Sequence, residues 1–313
     1  MIKSVNAYAA ASATAPLAPH PITRRLPCPD DVEIDILYCG VCHSDLHTAR
    51  NDWGWTRYPI VPGHEIIGRV VAIGSQVSRF KVGDRVGVGC MVDACGHCEA
   101  CEEGHEQHCS ETATYTYGAP DRIDGSLTQG GYSEKVVVKE GFVVRIPDNL
   151  ALQGAAPLLC AGITTWSPLK NADIGPGSRV AVVGLGGLGH MAIKLAKAMG
   201  AEVTLFTRSP GKEEDAHRLG ADRVVISTDA AQMAQVAGHF HLIVDTVPYV
   251  HDLNAYIPTL RFKGSLVLVG YLGPLEPALM TLGGAGEGAR LVAEQLGFQQ
   301  ALAQGGAVDG DKA

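Results

Sequence analysis

The length, composition and charge of the chain exclude several classes of protein. Its 313 residues exceed the size at which a single hydrophobic core usually stops growing, so two domains are predicted. A hydrophobic fraction of 46% excludes a disordered chain, and no apolar run is long enough to cross a bilayer. The formal net charge of −8, without a long Lys/Arg cluster, argues against nucleic acid or a membrane as a partner.

The cysteine content and the N-terminal segment bear on the cellular compartment. Residues Met1 to Pro16 lack a basic region followed by a sustained apolar core, so no secretion signal is predicted. Without export, nine cysteines bunched at metal-ligand spacing favour thiols kept reduced in the cytoplasm over a disulfide framework. Zinc is the leading explanation for them.

The first 150 residues are predicted to be mostly β-strands. Acidic and apolar residues alternate from Asp31 to Tyr38, the pattern of a strand with one solvated face. Cys42 follows in a turn, and Ile66 to Ile73 forms the next strand. The segment from Val82 to Gly89 continues a rhythm of short strands and glycine turns that is typical of a small β-barrel.

A loop within residues 90–110 carries four cysteines at C-x2-C-x2-C-x7-C spacing. They are Cys95, Cys98, Cys101 and Cys109. Four thiolates can surround one zinc ion with no open position, as in a structural site that folds a loop without a core of its own. An iron–sulfur cluster is the alternative, but the fourth cysteine comes late and no proline follows it.

Residues 150–280 carry the pattern of a dinucleotide-binding domain. Arg179 to Val183 is an apolar strand, and an amphipathic helix is predicted from His190 to Met199. Between them lies a G-x-G-x-x-G segment with Gly184, Gly186, Gly187, Leu188 and Gly189. Placed between a strand and a helix, this segment indicates a pyrophosphate site at a helix N-terminus. Further apolar strands alternate with helix-like segments and predict a doubly wound parallel sheet.

The end of the second strand of this sheet bears on the choice of cofactor. An Asp or Glu should stand there if the protein selects NAD(H). The chain instead has Thr207, Arg208 and Ser209, followed by Lys212. Arg and Lys attract a 2′-phosphate that a carboxylate would repel, which favours NADP(H). The alternative is that Arg208 and Lys212 are solvated residues of a loop and a helix start.

Several motifs in order carry a family resemblance. They are Gly-Val-Cys42-His-Ser-Asp, Gly-His64-Glu65, the four-cysteine loop, Pro157-Leu-Leu-Cys160-Ala-Gly and the glycine segment 184–189. With them the chain resembles the zinc-dependent medium-chain alcohol dehydrogenases, closest to the cinnamyl-alcohol-dehydrogenase-like, NADP-dependent aldehyde reductase branch. The resemblance implies an α/β plus β fold: a GroES-like β-barrel catalytic domain in residues 1–149 and a Rossmann domain in residues 150–280.

The resemblance also assigns a catalytic metal site. Cys42, His64 and Cys160 would be the three protein ligands of a catalytic zinc, and Glu65 would lie close enough to the metal to exchange with water. Together with the four-cysteine loop this makes two zinc ions per chain. Asp45 matches a carboxylate that orients the ligating imidazole of His64.

Three further residues receive roles from the same resemblance. Ser44 matches a hydroxyl that hydrogen-bonds the substrate oxygen, and His47 matches a group that hands the proton to solvent. His43 would face the cofactor pyrophosphate. The alternative for His47 is a histidine of a surface loop. Cys28, Cys39 and Cys90 have no ligand role left and are predicted to be buried thiols.

The implied activity is the interconversion of primary alcohols and aldehydes with NADP(H) by a cytoplasmic homodimer that binds neither nucleic acid nor membranes. Two alternatives stay open. One is an NAD-dependent polyol or secondary-alcohol dehydrogenase of the same superfamily. The other is a non-catalytic zinc- and nucleotide-binding relic, made inactive by an altered tail.

The tail, residues 281–313, departs from the resemblance. A glycine-rich stretch leads into a helix-like segment from Arg290 to Ala303. The hypothesis is that the sequence leaves its ancestral frame near Glu276 and loses the sixth sheet strand, which would expose a sheet edge and put the dimer in doubt. Pairing of Leu266 to Leu272 with a strand beyond Ala278 would contradict that loss.

Overall fold

The structure is a computed structural model that describes residues 3–270 and 290–293. The chain divides into two compact units, one ending at Cys160 and one beginning at Ala161. The predicted boundary lay after residue 149; the first unit extends further because residues 152–159 pack on its strands. Among the described residues, no helix is long and apolar enough to cross a membrane.

The first unit is built mainly of short strands. Strands β1 to β11 are Lys3–Val5, Tyr8–Ala9, Ala18–Pro19, Ile22–Arg24, Asp31–Cys39, Ile66–Ile73, Arg85–Val88, Met91–Asp93, Thr114–Tyr115, Lys135–Lys139 and Val143–Arg145. Helices α1 to α3 are His43–Arg50, Glu99–Glu102 and Leu152–Ala155. Single 3-10 turns lie at Glu106–His108, Glu140–Phe142 and Ala156–Leu159.

A five-stranded antiparallel sheet, in the order β10-β5-β6-β7-β11, holds the core of this unit. Its buried side chains include Val32, Ile34 and Ile66, none of which is exposed. The last residue of β5, Cys39, pairs with the first residue of β6, Ile66. Because these two ends lie side by side, the residues after β5 come next to the residues before β6. Those two segments carry the predicted metal ligands.

The second unit alternates strands and helices. Strands β12 to β17 are Arg179–Val183, Glu202–Thr207, Arg223–Ile226, Phe240–Asp245, Leu260–Leu268 and Arg290–Ala293. Helices α4 to α7 are Ala161–Asn171, Gly187–Ala198, Glu213–Leu219 and Ala230–Ala234, and 3-10 turns lie at Pro210–Lys212, Leu253–Ala255 and Ile257–Thr259.

The strands of the second unit form one parallel sheet in the order β14-β13-β12-β15-β16-β17. This is the doubly wound order expected of a dinucleotide-binding domain. Along β12, Val180 and Val182 join one buried cluster while Ala181 and Val183 join another. Both faces of the sheet are therefore covered, which explains why its strands read as apolar runs rather than as alternating patterns.

The predicted loss of the sixth strand is wrong. Strand β17 pairs in parallel with β16, Ser265 opposite Arg290 and Leu268 opposite Ala293. The helix predicted to begin at Arg290 is likewise wrong, because a short apolar run does not distinguish strand from helix by periodicity. Glu276, where the frame was predicted to depart, and the rest of the tail lie outside the described residues.

Truncation of a core aromatic tests this packing. Phe206 is fully buried and contacts Phe240 edge-on, with ring centroids 5.4 Å apart. Phe206→Ala should lower the free energy of unfolding by about 3–5 kcal/mol, since it removes buried apolar area and leaves a cavity. The measurement is the shift of the urea midpoint. Phe262→Ala is the matched control, because that ring is 63% exposed; an equal shift in both variants would contradict the assignment of the core.

Candidate active site

The ends of β5 and β6 and the residue after the 3-10 turn Ala156–Leu159 bring four metal-binding side chains together. The ligand atoms of Cys42, His64, Glu65 and Cys160 all lie within 4.8 Å of one another. All but Cys42 are buried. The sulfur atoms of Cys42 and Cys160 are 3.8 Å apart. Two thiolates on one tetrahedral zinc, with bonds of about 2.3 Å, stand about 3.8 Å apart, so this donor set fits zinc.

The sequence predicts Cys42 in a simple turn, but in the structure Cys42 caps a helix. It precedes the first residue of α1 with extended backbone, and Asn51, the residue after α1, adopts the left-handed conformation. Helix α1 has no sequence signal, because its eight residues are mostly polar and lack an apolar stripe. The consequence is that Ser44 and His47 are carried by a helix that starts at a metal ligand.

The carboxylate of Asp45 holds this helix against the segment before β6. Its Oδ2 accepts the backbone N–H of Cys42 at 3.0 Å, and its Oδ1 accepts the backbone N–H of Gly63 at 2.8 Å. Oδ1 also lies 2.9 Å from Nδ1 of His64. The hydrogen of His64 is thereby assigned to Nδ1, which leaves Nε2 free to bind a metal.

Two tyrosines complete this arrangement, and the sequence analysis missed both. The hydroxyl of Tyr132 donates to Oδ2 of Asp45 at 3.1 Å, and the hydroxyl of Tyr117 lies 3.2 Å from Nδ1 of His64. They come from the segments around β9 and before β10, far from the ligands in sequence. No motif or spacing marks them, because their role depends on the fold alone.

The thiols of the site hold their protons without a cation. The neighbouring Cys160 thiol and burial raise the pKa of Cys42 to about 12. A thiol binds metal only as thiolate, so metal binding must displace this proton. Burial raises the pKa of Glu65 to about 7, with a further contribution from Cys42. The site is therefore a low-dielectric pocket in which a divalent cation would supply the charge that stabilises the ionised forms of Cys42 and Glu65.

The two predicted proton-transfer residues lie on α1. The hydroxyl oxygen of Ser44 is 3.7 Å from the sulfur of Cys42. His47 lies in the last turn of the helix rather than in a surface loop, with Nδ1 2.6 Å from a carboxylate oxygen of Asp52. Its ring also contacts Trp53 at a centroid distance of 5.6 Å. The roles of Ser44, His47 and His43 stay predictions.

The four-cysteine loop brings its sulfurs together as predicted from their spacing. The sulfur atoms of Cys95, Cys98, Cys101 and Cys109 lie within 4.8 Å of one another. Cys95 and Cys101 are 3.8 Å apart, which matches sulfurs about 3.8 Å apart on one tetrahedral zinc ion. Backbone N–H groups of Ser110 and Cys101 lower the pKa of Cys98 to about 5. The loop fits a single zinc ion with four thiolate ligands.

The remaining three cysteines are only partly buried, contrary to the prediction. Of these, Cys90 lies beside the candidate metal ligands, where a hydrogen bond with Cys160 lowers its pKa. Burial raises the pKa of Cys39 to about 12. Cys90 directly precedes β8, so it reaches this position through the turn between β7 and β8.

The glycine segment of the second unit connects β12 to α5. The helix begins at Gly187 rather than at the predicted His190, so Gly187, Leu188 and Gly189 form its first turn with their N–H groups free of helical partners. A side chain at Gly189 would collide with the carbonyl oxygen of Gly184. No described atom lies within 4 Å of a Cβ built on Gly186 or Gly187. The segment is therefore closely packed on one side and open on the other, as a pyrophosphate site requires.

The segment after β13 carries the residues predicted to select the cofactor. Thr207 is buried, and its hydroxyl accepts the N–H of Ser209 at 3.1 Å. Arg208 and Lys212 are exposed, and Nζ of Lys212 donates to the carbonyl of Leu185 at 3.3 Å. This bond ties the segment to the glycine loop. Two cationic side chains thus stand at the strand end where a carboxylate would select NAD(H).

Both units of the chain are similar to known proteins. Residues 28–148 match the model of the alcohol dehydrogenase GroES-like domain, and residues 187–304 match the model of zinc-binding dehydrogenases. The chain is 54% identical over 270 residues to NADP-dependent alcohol dehydrogenase C 1 of Mycolicibacterium smegmatis, covering 86% of this chain and 77% of that protein. The chain belongs to the zinc-binding alcohol dehydrogenase family.

Two other proteins of this family are similar to the chain in sequence or in structure. Aldehyde reductase YahK of Escherichia coli is 54% identical over 271 residues, covering 86% of this chain and 76% of that protein. The structure of a cinnamyl alcohol dehydrogenase from Sorghum bicolor superposes with a TM-score of 0.88 at 43% identity, covering 96% of this chain and 87% of that one. The predicted family and the fold class, a GroES-like domain followed by a Rossmann domain, are confirmed.

The Asp45 network predicts a defect in zinc binding. Asp45→Asn should weaken zinc at the Cys42 site by about 10- to 100-fold, because an amide cannot accept all the hydrogen bonds that orient His64. Competition with a chelator measures the affinity. Asp148→Asn, whose side chain is 99% exposed in the same unit, should change nothing. Unchanged affinity in Asp45→Asn would show that the carboxylate does not position the ligand.

Proposed function

We propose that this chain is a zinc- and NADP(H)-dependent oxidoreductase that interconverts primary alcohols and aldehydes. The observation that carries the proposal is the pair of unlike metal groups in the first unit. One offers four thiolates and no open position, whereas the other offers two thiolates, an imidazole and a carboxylate that water or substrate can replace. The relatives named as alcohol dehydrogenase and aldehyde reductase support the same activity.

The residues divide into those that hold the site and those that move the proton. When bound, zinc at Cys42, His64 and Cys160 supplies Lewis acidity toward a substrate oxygen, and NADP(H) supplies or accepts the hydride. Asp45 keeps the imidazole of His64 in the tautomer that can ligate.

The proton needs a separate path in either direction. Oxidation of an alcohol releases one hydride and one proton, so the hydroxyl proton must reach solvent. We assign to Ser44, whose hydroxyl lies 3.7 Å from the sulfur of Cys42, the role of hydrogen-bonding the substrate oxygen. His47, whose Nδ1 lies 2.6 Å from a carboxylate oxygen of Asp52, is proposed to hand the proton to solvent.

The two alternative functions lose their support. An NAD-dependent dehydrogenase should carry an acid after β13, and Thr207 to Lys212 contain none. The inactive relic was inferred from a lost sheet strand, and β17 is present. We further propose that the protein acts in the cytoplasm, since its nine cysteines are all free and its metal groups need them reduced. That it acts as a homodimer is proposed from the family resemblance alone.

Turnover tests the proposed function directly. Zinc-loaded protein mixed with NADPH and an aromatic aldehyde should lose absorbance at the nicotinamide band. Cys42→Ala should abolish turnover and reduce the zinc content from two ions to one, whereas Cys28→Ala, outside both metal groups, should preserve both. Turnover that survives in Cys42→Ala would exclude zinc catalysis.

The basic residues after β13 predict the cofactor preference. Arg208→Ala and Lys212→Ala should each raise the KM for NADPH by about 10- to 100-fold, the effect of losing a hydrogen bond between charged groups. The KM for NADH should stay the same, because NADH has no 2′-phosphate. Arg218→Ala is the control, since Arg218 on α6 pairs with Asp215 at 2.6 Å. Equal changes for NADPH and NADH would refute the assignment.

A further inference from the structure

A second buried carboxylate, Asp245, lies at the carboxyl end of β15 in the unit that carries the glycine loop. Its side chain is 1% exposed. Its Oδ1 accepts the backbone N–H of Val247 at 3.0 Å, and its Oδ2 lies 2.8 Å from Nε2 of His251. None of the roles described above uses Asp245 or His251.

Both ring nitrogens of His251 face oxygen atoms. Nδ1 lies 2.7 Å from the carbonyl oxygen of Tyr249, and Nε2 faces the carboxylate of Asp245. A carbonyl oxygen can only accept, so Nδ1 carries a hydrogen, and an ionised carboxylate demands a second hydrogen on Nε2. On these contacts we assign the ring as an imidazolium, and the two side chains then form an ion pair that closes the segment from Asp245 to His251 on itself.

The segment that this ion pair closes packs against the glycine loop. The hydroxyl of Thr246 donates to the carbonyl of Val183 at 2.7 Å. A Cβ built on Gly184 would lie 3.2 Å from side-chain atoms of both Thr246 and Val247, and one on Gly189 would lie 3.2 Å from the Thr246 hydroxyl. Thr246 and Val247 thus pack directly against the loop that precedes α5. A shift of these two residues would move the free N–H groups of the first turn of α5.

We propose that the ion pair between His251 and Asp245 is a positioning device for NADP(H), which holds residues 246–251 against the glycine loop. His251 acts through Thr246 and Val247 and makes no contact with the reacting atoms. The inference rests on the proposed use of NADP(H). It predicts that cofactor binding depends on the charge of a histidine that belongs to neither the metal site nor the proton path.

The surroundings of His251 set the pH at which the pair is lost. The hydrogen bond with Asp245 raises its pKa, burial opposes this, and Arg208 after β13 also lowers it. The ring of Tyr256 lies 6.1 Å away, and the neighbouring Asp252 caps the turn Leu253–Ala255. The net pKa lies above the ordinary 6.5. The imidazolium is therefore favoured at low pH and is lost as the pH rises through the raised value.

Titration with NADPH across pH tests the proposal in the zinc-loaded, full-length chain. The dissociation constant is measured by nicotinamide fluorescence for the wild type, His251→Gln and the control His239→Gln. His239 directly precedes β15 and so lies at the amino end of the strand whose carboxyl end carries Asp245. The ratio of the His251→Gln constant to the wild-type constant should be roughly 5- to 20-fold at low pH and fall toward 1 as the pH rises through the raised pKa. The control ratio should stay near 1 throughout. Using ratios cancels the titration of the cofactor phosphate.

Nitrogen-15 NMR of the wild type without cofactor gives a second measurement that does not depend on a variant folding. Two N–H groups on His251 below its raised pKa support the ion pair, and a single one overturns it. Equal NADPH affinity in a folded His251→Gln variant, or a ratio that does not change with pH, overturns the inference alone. A wild-type chain that binds no NADPH overturns the proposed function and the inference with it.

Discussion

The candidate metal site depends on the hydrogen bonds that the carboxylate of Asp45 accepts. This carboxylate is 3% exposed and accepts hydrogen bonds from the backbone of Cys42 and Gly63, from His64 and from Tyr132. Although burial favours the neutral acid, the bond with His64 lowers the pKa of Asp45. A group so far desolvated and so fully bonded fixes its partners strongly, because any displacement leaves a buried charge unpaired.

The second unit uses a comparable constraint at its own ligand site. Within the glycine loop, the backbone at Gly189 lies against the carbonyl of Gly184, and the segment after β15 packs on both. Side chains at Gly184 and Gly189 would therefore crowd Thr246. Asp245 and His251 close that segment, as Asp45 closes the segment around α1. In both units a buried carboxylate, Asp45 in the first turn of α1 and Asp245 at the end of β15, sets the geometry of the neighbouring loop. The buried core of the sheets therefore stabilises the fold, whereas a few hydrogen bonds to buried carboxylates set the geometry of the loops.

Much of the fold could be predicted because its patterns are local. The strands Ile66–Ile73 and Arg179–Val183 lie where the sequence predicts them, since apolar runs bounded by glycine or polar residues leave few alternatives. The misses have equally local causes. Helix α1 is short and polar, and the apolar run at Arg290–Ala293 is compatible with a strand or a helix until a neighbouring strand offers it hydrogen bonds.

The sequence by itself determined the chemistry of this protein. Residue types and their spacing show which side chains can bind zinc, where the glycine segment lies and that no acid follows β13. Only the tertiary structure decided which of these groups meet. Cys42 and Cys160 are 118 residues apart, and their sulfurs lie 3.8 Å apart only because β5, β6 and the turn before α4 pack together. Tyr117, Tyr132 and His251 carry no motif, since a hydrogen-bond partner is defined by position in space and not by sequence.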